Sequence, residues 1–342
     1  MKKIILIPLF LIAGAILYIL ISIALPASYD VAVKKERDST KYWDLRTGSR
    51  IAYTFLTSNS PNKYRYPLIY LHGGPGAGIT EKEIETYRQL SEKGYDVYLY
   101  DQVGCGLSER LSNANEYSAE RHLADLAEIV KSVSSDKVVL VGQSWGSILA
   151  VSFLAKNLEL VHKLVITAPA PIQPANKKFE SVTPPDSLHL QPPVFTNKPA
   201  SKKATTLRTR VTYYLARKYG VKLANDEEAD RFATYMTTEL NKAMVCDVKN
   251  AVVAEGTEGL YVNYLTSKSI SRITDQRPVL SKLETPVLVM KAQCDNQLWG
   301  YTTEYFSIFK NHQFAFIKNA GHNIFLEQPA AYINAINEFL KQ

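Results

Sequence analysis

The sequence predicts an α/β fold: a mostly parallel central sheet flanked by helices, with a mainly helical cap inserted late in the chain and a hydrophobic helix at the N-terminus. Three observations lead there. Short apolar runs bounded by turn residues recur at Leu68–Leu71, Val97–Tyr100, Val138–Val141, Leu164–Ile166, Val287–Met290 and Phe314–Ile317. Runs that are apolar at successive positions suit strands buried on both faces, as in a parallel sheet with helical crossovers. Helix-spaced apolar residues lie at 148–158 and 331–340, and the alternation of strand and helix breaks between about residues 170 and 277.

In chain order, the first feature is Ile4–Leu25, an uncharged run behind Lys2 and Lys3. As a helix it reaches roughly 33 Å, enough for a bilayer core of about 30 Å, and it exceeds the usual secretory apolar region of about 7–15 residues. Residues 1–28 therefore read as a retained single-pass membrane anchor, with the body on the non-cytoplasmic side. The alternative is a signal segment cleaved near Ser22-x-Ala24 or Ala27, leaving a secreted protein. Residues 29–170 and 278–342 read as the core and 171–277 as the cap. Eight of the sixteen prolines fall between Pro169 and Pro199, which disfavours regular elements there, and helical stretches such as 227–244 follow. Lys202–Lys222 holds seven basic residues and no acid. It reads as a solvated helix face rather than a surface for nucleic acid or anionic lipid.

Composition narrows the field further. A chain of 342 residues with 46% apolar and 21% charged residues has ample core material and is not a disordered chain. Cys105, Cys246 and Cys294 are too few and too dispersed for a disulfide framework, and without a C-x-x-C pair they offer no zinc site. Neither a metal nor an organic cofactor is expected, and no nucleic-acid partner.

Chemistry concentrates at Gly142-Gln-Ser144-Trp-Gly146, which follows the Val138–Val141 run and precedes a helix. G-x-S-x-G alone recurs by chance in about one chain in ten of this length, so the strand–turn–helix context carries the argument. A sharp turn there projects the Ser144 hydroxyl clear of the sheet, and only glycine avoids collision at the flanks. The Trp145 amide then sits at a helix N-terminus, ready to meet an oxyanion. A serine nucleophile needs a base and an orienting acid. Asp295 directly follows one late strand, and His322 follows another through Lys318–Gly321. Both lie at carboxyl ends of strands, where functional groups of open α/β sheets collect, and the order Ser144, Asp295, His322 suits this architecture. The second oxyanion donor is expected in His72-Gly-Gly-Pro-Gly76, with Gly74 preferred over Gly73. His72 is read as holding that loop, Asp101–Ser108 as a supporting turn, and Cys105 as a small packed residue.

Together these residues resemble the α/β-hydrolase superfamily, and within it the proline iminopeptidase family. H-G-G-P-G stands intact at His72–Gly76. The family's D-Q-R-G-C-G-x-S appears at Asp101–Ser108 with Val103 in place of arginine, and its G-G-S-W-G-S at Gly142–Ser147 with Gln143 in place of glycine. The resemblance implies an α/β-hydrolase core, Ser144 as nucleophile, Asp295 as orienting acid, His322 as base, and release of an N-terminal residue, often proline, from a short peptide. It also implies a cap glutamate that holds the substrate amine. The family's tryptophan–glutamate segment is absent from this cap, and Glu258, in Glu258-Gly-Leu-Tyr261 with Glu255 nearby, is the candidate; a solvated glutamate at a helix end is the equal alternative. An esterase or amidase of the same fold, whose cap recognises another small acyl substrate, is the runner-up, and a non-catalytic binding protein of this fold is third.

Overall fold

The computed structural model describes residues 2–134, 136–192 and 198–342, with side chains from residue 10 onward except at Ala200; Met1, Ser135 and residues 193–197, including Pro193 of the proline-rich stretch, lie outside the described residues. The chain runs α1 (Lys2–Ala24), β1 (Thr40–Asp44), β2 (Arg50–Leu56), β3 (Leu68–Leu71), α2 (Glu81–Glu92), β4 (Val97–Tyr100), α3 (Ala119–Val133), β5 (Val138–Gln143), α4 (Trp145–Lys156) and β6 (Val161–Thr167). After β6 come α5 (Lys198–Ala204), α6 (Leu207–Tyr219), α7 (Asp226–Asn241), α8 (Leu260–Ser269) and α9 (Arg277–Leu280). The chain then returns through β7 (Val287–Cys294), α10 (Trp299–Ile308), β8 (His312–Gly321), α11 (Ile324–Glu327) and α12 (Pro329–Lys341).

The eight strands form one sheet in the order β1-β2-β4-β3-β5-β6-β7-β8. Pairing is parallel from β4 to β8, as the apolar runs predict, and antiparallel at the β1–β2–β4 edge. The period of two along each strand sorts side chains to opposite faces. Leu140, Ile69, Leu164 and Val289 join one buried cluster with residues of α3 and α4, whereas Val141, Tyr70, Val165 and Met290 join another with residues of α2 and α12. The β1–β2 hairpin has no counterpart in the sequence reading. Its first strand, Thr-Lys-Tyr-Trp-Asp, is mostly polar and only partly buried, and is held instead by pairing and by Trp43 stacked on Tyr53 at 3.6 Å.

Between β6 and β7 the described residues form helices and no strand. Their ends are written locally. Thr206 caps α6 and Gly220, at φ +70°, closes it, while Asn225 caps α7. The basic stretch is not wholly a solvated face: Arg208 is buried and paired with Glu228 at 2.6 Å. Its guanidinium also donates to the Ile23 carbonyl at 2.5 Å, so the end of α1 is fastened to α6.

Two expectations are corrected here. Among the described residues no helix is long and apolar enough to cross a membrane. The membrane anchor, and the anchored location inferred from it, do not stand. The cysteines are also not all separate: Cys246 and Cys294, 48 residues apart, form a disulfide with Cα atoms 5.2 Å apart, leaving Cys105 as a buried thiol. Linear spacing cannot reveal a pairing made by the return of β7 beside the α7–α8 connection.

This cross-link restrains a long loop of the unfolded chain. Replacing both Cys246 and Cys294 by alanine is expected to lower unfolding free energy by about 2–4 kcal/mol, measured by denaturant titration.

Candidate active site

The site begins at the turn from β5 into α4. Ser144 sits at φ +54°, ψ −115°, a conformation that residues with a Cβ rarely adopt. The cause is close packing on both sides of it. A Cβ on Gly142 would lie 2.4 Å from the Gly146 carbonyl oxygen, and one on Gly146 would lie 1.9 Å from that of Leu71. Both flanking glycines are thus demanded by backbone against backbone. The Ser144 amide donates to the Thr167 carbonyl at 3.1 Å, which ties the turn to the end of β6.

The loop after β3 folds against this turn. A Cβ on Gly73 would stand 3.3 Å from Ser144 Cβ and only 2.2 Å from Gln143 Oε1, so the glycine lets the two segments meet. Gly74, at φ +114°, precedes Pro75 through a cis peptide bond. His72 lies beneath, fully buried. Its Nδ1 donates to the Gly73 carbonyl at 2.8 Å and its Nε2 accepts from the Gln102 amide at 3.0 Å. Burial pushes this imidazole down to about 4 despite the bond to Gly73, so it is neutral and bridges two loops. Burial pushes the Cys105 thiol up, which makes it a packed thiol rather than a nucleophile.

At the far ends of β7 and β8, Asp295 and His322 meet. His322 Nδ1 is 2.7 Å from Asp295 Oδ1, and both residues are buried. Gln297 also donates its amide to Oδ1, at 3.1 Å. Burial alone would raise the Asp295 carboxyl; the Lys291 ammonium, 2.8 Å from Oδ2, and the bond from His322 hold it below the ordinary carboxylate range. The α7–α8 connection closes on this pair from the other side. The His322 amide donates to the Met244 carbonyl at 2.8 Å, and Glu327 accepts from the amides of Gly321 at 2.7 Å and Cys246 at 2.9 Å.

A cavity of about 400 Å³ lies between these loops and the helices inserted after β6. Gly73, Gly74, Gln143, Ser144, His322 and Asn323 line one side, and Tyr213, Phe232, Met236, Leu240, Met244, Glu258 and Leu260 line much of the other. Ser144 and His322 therefore border one space, with Asp295 behind the imidazole. Glu258 is buried in the opposite wall rather than solvated. Its Oε2 accepts from Thr234 Oγ1 at 2.9 Å, and burial pushes its carboxyl up to about 7. Glu255 is turned away, accepting from the Glu81 amide at 3.0 Å at the start of α2. Among the described residues no group of three or more His, Cys, Asp or Glu side chains is arranged to hold a metal ion.

Three polar residues at the site escape the sequence reading. Lys291 is one, although a lysine interrupting a buried apolar strand is itself a signal. Gln143 is another; its Nε2 donates to Asn323 Oδ1 at 3.0 Å and links the serine turn to the histidine loop. The third is Lys34, whose ammonium meets buried Asp101 at 2.7 Å. Position 103 in that turn is a buried valine, and the cation facing Asp101 comes from far upstream.

The family model described as "alpha/beta hydrolase fold" matches residues 66–329. A proline iminopeptidase of Clostridium botulinum is 38% identical over 87 residues, covering 25% of this chain and 29% of that protein. One of Lactobacillus delbrueckii subsp. bulgaricus is 33% identical over 150 residues, covering 37% of this chain and 50% of that protein. The match to these curated relatives thus spans at most about half of their length. An esterase from Exiguobacterium antarcticum superposes with a TM-score of 0.61 at 15% identity, covering 88% of this chain and 99% of its own, a likeness of fold alone.

The close approach at Gly146 makes a sharp test of the turn. Gly146→Ala is expected to lower stability by at least about 2 kcal/mol, because the new methyl collides with a backbone carbonyl that no side-chain rotation can move; thermal unfolding measures it.

Proposed function

The chain belongs to the alpha/beta hydrolase fold family, and on that premise we propose that it is a serine hydrolase that removes an N-terminal residue from short peptides through an acyl-enzyme. The observation that carries this reading is the shared cavity: Ser144 and His322 border it, and His322 is bonded through Nδ1 to Asp295. With Nδ1 donating to the carboxylate, Nε2 is left as the basic nitrogen. His322 takes the Ser144 proton as Oγ adds to the substrate carbonyl. The amides of Gly74 and Trp145 hold the developing oxyanion, the latter at the N-terminus of α4 where the helix dipole assists. The imidazolium then protonates the leaving amine. Water, deprotonated by the same imidazole, attacks the acyl-enzyme and returns Ser144 to its starting state.

Residues 171–277 act in this reading as a cap over the cavity. Glu258, in the cap wall, holds the substrate's α-ammonium, since a cation taken out of water needs a paired carboxylate. The resemblance to proline iminopeptidases along the matched stretches supports a substrate with a free N-terminus. A second reading, an esterase or amidase acting on another small acyl group, draws support from the apolar wall of Phe232, Met236, Leu240, Met244 and Leu260, which suits an acyl chain.

Substrates with free and blocked amino groups separate the two. Prolyl and alanyl arylamides are expected to turn over and their acetylated forms to fail; faster cleavage of acetylated amides or simple esters establishes the second reading. Ser144→Ala is expected to lower kcat by at least about 10⁴-fold and to abolish labelling by a fluorophosphonate.

Glu258 adds a pH signature. Below about 7 its carboxyl is neutral and offers the ammonium no counter-charge, while a substrate α-amine loses its proton above about 8. The KM for free-amine substrates is therefore expected to be lowest between these limits. In Glu258→Gln it rises at least about tenfold and its acid-side dependence vanishes, with ester turnover little changed, as steady-state kinetics across pH measures.

A further inference from the structure

Lys291 has no part in the mechanism above, yet its ammonium is bonded to the carboxylate that His322 faces. Its side chain is 1% exposed and that of Asp295 is fully buried. The preceding residues of β7, Val287–Met290, are all apolar and buried, so an aliphatic residue at 291 would suit the strand without the cost of desolvating a cation. The two oxygens of Asp295 are divided between two partners. Oδ2 receives the Lys291 ammonium at 2.8 Å, and Oδ1 faces His322 Nδ1 at 2.7 Å. Lys291 also donates to the Gln297 carbonyl, in the turn whose amide donates to Oδ1. The ammonium is thus anchored at a second point, and the carboxylate cannot rotate without leaving it.

We propose that Lys291 is a positioning residue: it keeps Asp295 ionised with one oxygen turned to His322, and by setting a fixed positive charge behind that carboxylate it determines the lower edge of the pH range in which the pair works. The inference rests on the serine hydrolase reading and adds to it a residue that touches neither substrate nor nucleophile. An Asp–His pair with no other cation attracts a proton more strongly than one whose carboxylate is already shared with an ammonium. The charged groups around the pair are few. Lys291 shares the strand of Asp295, and His322 comes from the end of β8. Glu327, on α11, is engaged by the amides of Gly321 and Cys246, and Glu239 and Glu258 lie in the cavity wall opposite. Of these, Lys291 is the cation bonded to the carboxylate.

The test compares the full-length wild-type protein with Lys291→Met and Lys291→Arg, active sites being counted by fluorophosphonate labelling so that misfolded molecules do not enter kcat. In Lys291→Met, kcat for a prolyl or alanyl arylamide, or for an ester if that is the better substrate, is expected to fall at least about tenfold at pH 7 with KM nearly unchanged. The acid limb of kcat, read at saturating substrate so that the Glu258 effect on KM does not enter, is expected to move up by about one pH unit or more. Lys291→Arg, which keeps the charge, is expected to return the limb close to its wild-type position. If Lys291→Met yields no folded enzyme, Lys291→Gln provides the neutral variant. A neutral variant that labels normally and keeps the wild-type kcat and pH profile overturns the proposal. So does an arginine variant as impaired as the neutral one with the limb unmoved in both, which marks a packing role alone. Wild-type protein that neither labels nor depends on Ser144 for turnover overturns the serine hydrolase reading itself, and this inference with it.

Discussion

The constraint on which the rest depends is the contact of bare backbone against bare backbone where β5 turns into α4. Gly146 lies so close to the Leu71 carbonyl, and Gly142 to that of Gly146, that neither position has room for a Cβ. From that one contact follow the positive φ of Ser144, the exit of its side chain above the sheet, and the position of the Trp145 amide at the helix N-terminus. The β3 strand takes part directly, since Leu71 is both the wall against which Gly146 packs and the last residue before the His72–Gly76 loop. A single close approach therefore sets the serine and the glycine loop against each other.

Around this turn the polar groups are arranged so that few buried charges stand alone. Asp101 accepts from Lys34, from the Ile79 amide at 2.7 Å and from the Leu107 amide at 2.9 Å, and Lys34 holds it below the ordinary carboxylate range despite burial. Arg208 and Glu228 join the end of α1, α6 and α7 in the same manner. Each pair bridges segments distant in the chain. Such pairs contribute modestly to net stability, yet removing one partner leaves a desolvated charge, so they resist alternative packings more than they deepen the native well.

The helices inserted after β6 are bonded to the strand ends at several points. Their connection at Met244–Cys246 meets the His322 loop through a backbone hydrogen bond, through Glu327 and through a disulfide to the residue preceding Asp295. The wall carrying Glu258 and the strand ends carrying Asp295 and His322 are thereby parts of one bonded unit, and the cavity between them has its shape set from both sides.

The sheet and the serine turn were legible because their causes are local. An apolar run such as Val138–Val141 identifies a doubly buried strand within itself, and glycines on either side of a serine identify a tight turn within five residues. The places of Asp295 and His322 at strand ends were legible for a related reason, since each stands just beyond its own strand. The β1–β2 hairpin was not, because Thr40–Asp44 owes its conformation to a partner strand rather than to its own pattern. Nor were the Cys246–Cys294 cross-link, the Lys34–Asp101 pair, the burial of Glu258, or Lys291 against Asp295. In these the partner lies across the fold, and a charge in sequence carries no mark of whether water or a counter-ion will meet it. The amino-acid order determined which segments become strands, turns and helices, because those depend on neighbours within a few residues. The tertiary structure alone decided which distant charges, sulfurs and loops meet around the serine, because burial and pairing exist only once the sheet has brought its strand ends together.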